Sequence, residues 1–162
     1  MAAPAAHRPP HRARPDAGFT LVEILVVILI IGLLSAIALP SFLGQRAKAQ
    51  DAVAKHAVVA TARLVEACAA DEDGYDGCDR PSRLAPRAGQ ANATGLPIVV
   101  TVGGADPAEG EVAVTEADDD HFVVVGRSRA GERFAYERVG RGLVSRICSP
   151  AGANGCPEDG TW

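Results

Sequence analysis

The stretch GFTLVEILVVILIIGLLSAIALPSF, residues 18–42, decides what this chain is built around. From Ile24 to Gln45 there is no charged residue. At about 1.5 Å per residue this run makes roughly 33 Å of helix, enough to cross a bilayer core of about 30 Å. One carboxylate, Glu23, stands at its head, five residues after Gly18. An acid at a bilayer centre costs on the order of 3 kcal/mol, and less near the interface. Glu23 therefore either snorkels to the membrane surface or is neutralised later by a partner.

Three readings of the run compete. It is an ordinary secretory signal with a small-x-small site at Ala36-Ile37-Ala38, a permanent single-span anchor, or an anchor that later becomes the core of an assembly. The first fits poorly, because the apolar core exceeds the usual ~7–15 residues and carries Glu23 near its start. Arginines do not settle the orientation: Arg8, Arg12 and Arg14 precede the run, and Arg46, Lys48 and Lys55 follow it. A cut between Gly18 and Phe19 would create an α-amino group, normally protonated near neutral pH. That ammonium would lie four residues, or about 6 Å of helix rise, before Glu23. It would pair with its own Glu23 or with that of a neighbouring helix, and breaking such a pair in a dry bundle would cost several kcal/mol.

These residues resemble the N-terminal segment of type IV pilins and their pseudopilin relatives. The signature is Gly, then Phe, Thr, Leu, an aliphatic residue and Glu, followed by an uninterrupted apolar helix; an arginine-bearing leader ends at Gly18. The resemblance implies that prepilin peptidase cuts after Gly18 and methylates the new amine of Phe19. It implies that Glu23 pairs with that amine on a neighbouring subunit during filament growth, with Thr20 adding a hydrogen bond. Gly32 and Pro40 fall where family members loosen or kink the helix, and the chemistry agrees. Pro40 has no N–H to offer the carbonyl of Ala36, and Gly32 is a weak helix former. The implied partners are the chain itself and other pilins in a helical homopolymer, prepilin peptidase, a pilus assembly platform with its ATPase, and membrane lipid before assembly. The implied locations are the cytoplasmic membrane, N-terminus inside, for the precursor, and an extracellular filament afterwards. No cofactor is implied. The close match covers about the first 30 residues after Gly18.

The rest of the chain is read from its residues. The 162 residues allow one domain with a modest core. The formal charge is −4; residues 1–18 contribute +2, so the body is −6, which argues against non-specific nucleic-acid binding. Arg127, Arg129 and Arg133 are interleaved with Glu132 and Glu137 and read as a solvated strand face. Residues 1–18, rich in Pro, Ala, Arg and His, read as a leader. Residues 19–45 form the hydrophobic half of a long helix and 46–71 its amphipathic half. In that second half Val53, Ala57, Ala60, Leu64 and Ala67 share one face, and Asp51 and Lys55 pair on the outer side. Residues 72–95 read as a loop.

Residues 96–162 read as an antiparallel sheet with a fastened tail. HFVVVGRS from His121 and RFAYERV from Arg133 flank a glycine turn, and GLVSRIC from Gly142 follows another. LPIVVTV and EVAVTE are two further strand candidates. A long helix followed by antiparallel strands gives an α+β fold. Cys68, Cys78, Cys148 and Cys156 allow three pairings, of which proximity favours Cys68–Cys78 and Cys148–Cys156. Disulfides need an oxidising compartment, which places the C-terminal side outward. The cysteine spacing is too wide for a structural zinc site, and Asp71, Asp73, Asp76 and Asp79 do not fit an EF-hand loop, so both acidic stretches, including Asp118–Asp120, read as solvated turns. G-x-S-x-G, H-E-x-x-H and phosphate-loop signatures do not occur. The sequence therefore reads as a structural subunit and not an enzyme. The rivals are a secreted disulfide-bonded binding domain released after Ala38 and a pseudopilin of a secretion or DNA-uptake machine.

Overall fold

A computed structural model describes residues 18–72, 74–80, 82–84, 105–140 and 142–162. The chain divides into two compact units, residues 1–39 and 40–162. Helix α1 runs Leu21–Glu72 and contributes to both. It is followed by β1 (Val112–Ala117), β2 (His121–Arg127), β3 (Arg133–Val139) and β4 (Leu143–Ser149). The strands form one sheet in the order β1-β2-β3-β4, every neighbour antiparallel. This is the α+β architecture expected from the sequence. The LPIVVTV strand candidate, residues 96–102, lies outside the described residues, as do residues 1–17 of the segment 1–18 expected to be a leader.

In the first unit the large apolar side chains of α1 are all exposed, from Leu21 at 76% to Leu39 at 59%. The helical assignment passes through Gly32 and Pro40 without interruption. Among the described residues α1 is the one helix long and apolar enough to cross a membrane.

The second unit is built on alternation. Phe122, Val124 and Gly126 of β2 and Phe134 and Tyr136 of β3 point to the face that receives α1. The register aligns Val112 with Gly126 and Val114 with Val124, so β1 joins the same face. Ala54, Ala57, Val58, Ala62, Val65 and Cys68 supply the helical side of this core. Alanines let helix and sheet approach closely. At Gly126 the approach is closest, since a Cβ there would lie 2.6 Å from Val58 Cγ2. The opposite face of the sheet is not wholly solvated, because Ala113, Val125 and Ala135 are paired across it and buried, as is Pro107.

The helical face differs from the expected one by about one residue, or roughly 100°. Val53 is 40% exposed and Ala67 is exposed, while Ala54, Thr61 and Cys68 are buried in their stead. Ala57 and Leu64 sit at the margin of both stripes and are buried. Apolar periodicity gave weight to Val53 and none to Thr61; the Cys68–Cys78 disulfide and the close Gly126 contact set the true rotation. The expected outer pair of Asp51 and Lys55 does not form. Asp51 is fully buried and accepts the N–H of Gly155 at 2.8 Å, and Lys55 donates to the carbonyl of Gly155 at 2.5 Å.

Two disulfides fasten this unit: Cys68–Cys78 ties the end of α1 to the loop after it, and Cys148–Cys156 ties β4 to the tail. The tail then returns along β4. Thr161 bridges Ile147, Cys148 N–H donates to Gly160 O at 2.7 Å, and Trp162 Nε1–H donates to Ile147 O at 2.9 Å. The Trp162 ring meets Phe134 edge-on with centroids 5.9 Å apart.

Gly126→Ala should lower the unfolding free energy by about 1–3 kcal/mol, because Val58 is β-branched and has little freedom to withdraw. Denaturant unfolding checks this, and Val58→Ala in the same chain should recover part of the loss.

Candidate functional site

The site that the sequence singles out is the head of α1. Thr20 precedes the first helical residue, and its Oγ1 accepts the backbone N–H of Glu23 at 3.2 Å. The carbonyl of Thr20 accepts the N–H of Ile24, N···O 3.4 Å. Thr20 is therefore the N-cap of α1, satisfying one of the backbone donors that a helix leaves open at its start. Thr20-Leu21-Val22-Glu23 has the spacing of a capping box, in which the acid would bond back to the N-cap N–H. That return bond is not made, and the Glu23 carboxylate has no hydrogen-bond or ion-pair partner among the described residues. Its place in the first turn suits a negative charge, since the helix dipole is positive there.

Phe19 is 78% exposed, one residue before the cap. Gly18, Phe19, Thr20 and Glu23 are thus gathered within one turn of the helix start, all exposed. A Cβ at Gly18, Gly32 or Gly44 would meet no atom within 4 Å, so nothing within the described chain requires these positions to be small. Gly32 lies instead in a shallow apolar trough with Leu25, Ile28, Leu29 and Leu33. Pro40 lies inside α1. The four cysteines lie in the second unit and form the two disulfides that proximity favours.

The second unit offers a cleft of about 480 Å³, lined by Glu66, Tyr75, Asp119, Asp120 and Arg138 among others. Two of its charges are engaged with each other, as Arg138 Nη1 donates to Glu66 Oε1. Asp118–Asp120 form the exposed β1–β2 turn, closed by Asp118 N–H to His121 O at 2.8 Å. His56 is exposed. Arg133 is held by Asp106 at 3.1 Å, an ion pair that sequence reading missed because the partners are far apart in the chain. The Thr20 cap was missed as well, although the T-x-x-E spacing carries its signal.

A capped helix headed by one acid and charge-free from Ile24 to Gln45, followed by a disulfide-fastened antiparallel sheet, defines an α+β protein of pilin-like fold. Residues 13–39 match the family model described as the prokaryotic N-terminal methylation motif. The chain is 41% identical over 69 residues to prepilin peptidase-dependent protein D of Escherichia coli K12, covering 43% of this chain and 47% of that protein. It is 32% identical over 74 residues to type IV major pilin protein PilA of Myxococcus xanthus, covering 46% and 34%. It is 34% identical over 62 residues to type II secretion system core protein G of Aeromonas hydrophila, covering 38% and 43%. In each case the chain spans less than half of the relative's length. No solved structure matches it. Over these segments the chain is similar to type IV pilins and to type II secretion pseudopilins, and residues 13–39 carry their N-terminal methylation motif.

Thr20→Ala should destabilise the first turn of α1 by about 0.5–2 kcal/mol. Amide hydrogen exchange should accelerate at Leu21–Ile24 and stay unchanged in β2 and β3.

Proposed function

We propose that this chain is a membrane-stored subunit that is cut after Gly18, methylated on the new amine of Phe19, and polymerised into a filament outside the cell. The observation that carries this reading is the Glu23 carboxylate, exposed and unpartnered among the described residues at the head of a helix whose large side chains from Ile24 to Leu43 are all apolar. In an assembly, packing the apolar helix against its copies would remove Glu23 from water. An unpaired carboxylate there would cost several kcal/mol, and an N-terminal ammonium on the adjacent subunit offsets that cost. Registry follows, since a subunit seated at the wrong height leaves both charges unpaired. Thr20 supports the pair indirectly: by taking the Glu23 N–H it fixes the first turn and the direction in which the carboxylate leaves the helix.

In this reading the chain is a substrate of a prepilin peptidase rather than an enzyme. Lipid covers residues 19–45 before assembly, and an assembly platform with its ATPase lifts the subunit out. The two disulfides support an oxidising location for the C-terminal unit. The match to core protein G favours a second form of the same chemistry, a short secretion pseudopilus in place of a long pilus.

Mass spectrometry of the mature protein should give an N-terminus at methylated Phe19; a start at Leu39 would instead indicate a secreted domain, and retention of Met1 a permanent anchor. Gly18→Ala should leave the precursor at full length on a gel. Glu23→Ala should cut filament yield at least tenfold while the second unit keeps its thermal transition, and normal filaments from that variant would contradict the role given to Glu23. Imaging of labelled filaments distinguishes a pilus from a pseudopilus by length.

A further inference from the structure

A pair of carboxylates lies far from the head of α1 in sequence and inside the protein. Asp51 of α1 is fully buried, and Glu132, in the β2–β3 turn, is 4% exposed. Asp51 Oδ2 accepts the Gly155 N–H of the disulfide-closed tail at 2.8 Å, and Oδ1 is buried with no hydrogen-bond partner. Glu132 Oε2 accepts the Ser128 hydroxyl at 3.1 Å, and Oε1 accepts the amide of Asn154 from the tail. Ser128, itself fully buried, accepts the N–H of Ala130 and so is fixed by its own turn. Glycine is what lets the tail backbone come this close, because a Cβ at position 155 would stand 2.8 Å from Asp51 Cβ.

The surrounding charges do not neutralise two carboxylates. From the helix, Lys55 directs its ammonium to the Gly155 carbonyl at 2.5 Å and over the Phe134 and Trp162 rings at 5.1 and 5.9 Å. From the sheet, the Arg133 guanidinium is turned to Asp106. From the tail, Asp159 is bonded to Thr161, and Asn154 and Gly155 bring no charge.

We propose that Asp51 and Glu132 share one proton, and that this proton latches the disulfide-closed tail and the β2–β3 turn onto helix α1. A proton on Asp51 Oδ1 converts the one orphaned carboxyl oxygen into a donor toward the Glu132 carboxylate, and leaves Oδ2 to accept from Gly155. Burial pushes the Asp51 carboxyl up from its ordinary value, against the Gly155 hydrogen bond, and the Glu132 charge adds to the rise. Burial acts in the same direction on Glu132, but donation from Asn154, Asp51 and Ser128 outweighs it and holds that carboxyl below its ordinary value. The native state thus binds the Asp51 proton more tightly than the unfolded chain does. Its contribution is complete at low pH and is lost as pH rises through the raised Asp51 value. The Glu132 contribution runs the other way and is lost as pH falls through its lowered value. The latch is strongest between the two.

The test uses the full chain in detergent micelles. Amide exchange at Gly155, corrected for the intrinsic rate, is followed from about pH 3 to about pH 9. Protection should fall at least tenfold as pH rises through the Asp51 titration. Asp51→Asn, which mimics the protonated acid, should remove that fall. A parallel fall in Asp51→Asn would overturn the proposal. Carboxyl-carbon NMR of the unaltered protein reads the sharing directly and stands alone should the variant not fold. Two separate steps are expected, with one proton retained between them, and Glu132→Gln should move the Asp51 step back toward the ordinary range. Joint ionisation of both acids in that range would refute the shared proton, as would an exchange profile that shifts on adding EDTA, which would put a cation in its place.

Discussion

An apolar helical surface that the described chain leaves uncovered has to be covered by something else. From Leu21 to Leu43 the side chains of α1 that would fill a protein core are all about half exposed or more. At about 25 cal/mol per Å², leaving them in water is untenable. In the proposed function, lipid and then the helices of other subunits remove this surface from water without asking the backbone for anything, since the helix already satisfies its own hydrogen bonds. The head of that helix is then the natural place for a charge that must be matched. The Thr20 cap holds Glu23 in the first turn, where the dipole favours it, yet leaves its carboxylate without an intramolecular partner among the described residues.

The second unit answers a different constraint. Its part of α1 is rich in alanine, so it buries little area per residue and must lie close to the sheet. Gly126 permits that closeness, and Phe122, Phe134 and Tyr136 supply the volume that the alanines lack. Disulfides fasten both margins of this small core, one at the helix end and one at the tail. The tail is no loose extension: it brings Gly155 to Asp51, Thr161 to Ile147 and Trp162 to Phe134. Three sequence-distant segments therefore meet around the pair Asp51 and Glu132, both of which would look like ordinary surface acids if read one at a time.

The class of the fold, the order of its elements and the head of α1 were determined by the sequence, because each rests on local chemistry. A charge-free run of helical length, a T-x-x-E start, glycine turns between alternating strands and cysteines close in the chain are all visible within about ten or twenty residues. The rotation of the amphipathic half, the burial of Asp51 and Thr61, the Arg133–Asp106 and Arg138–Glu66 pairs and the return of the tail were decided only by the tertiary structure. Periodicity says that a face exists. It does not say which of two adjacent residues faces inward when Val53 and Ala54 both qualify. That choice was made by contacts across long separations, such as Val58 against Gly126 and Asp51 against Gly155, whose energies no local pattern carries.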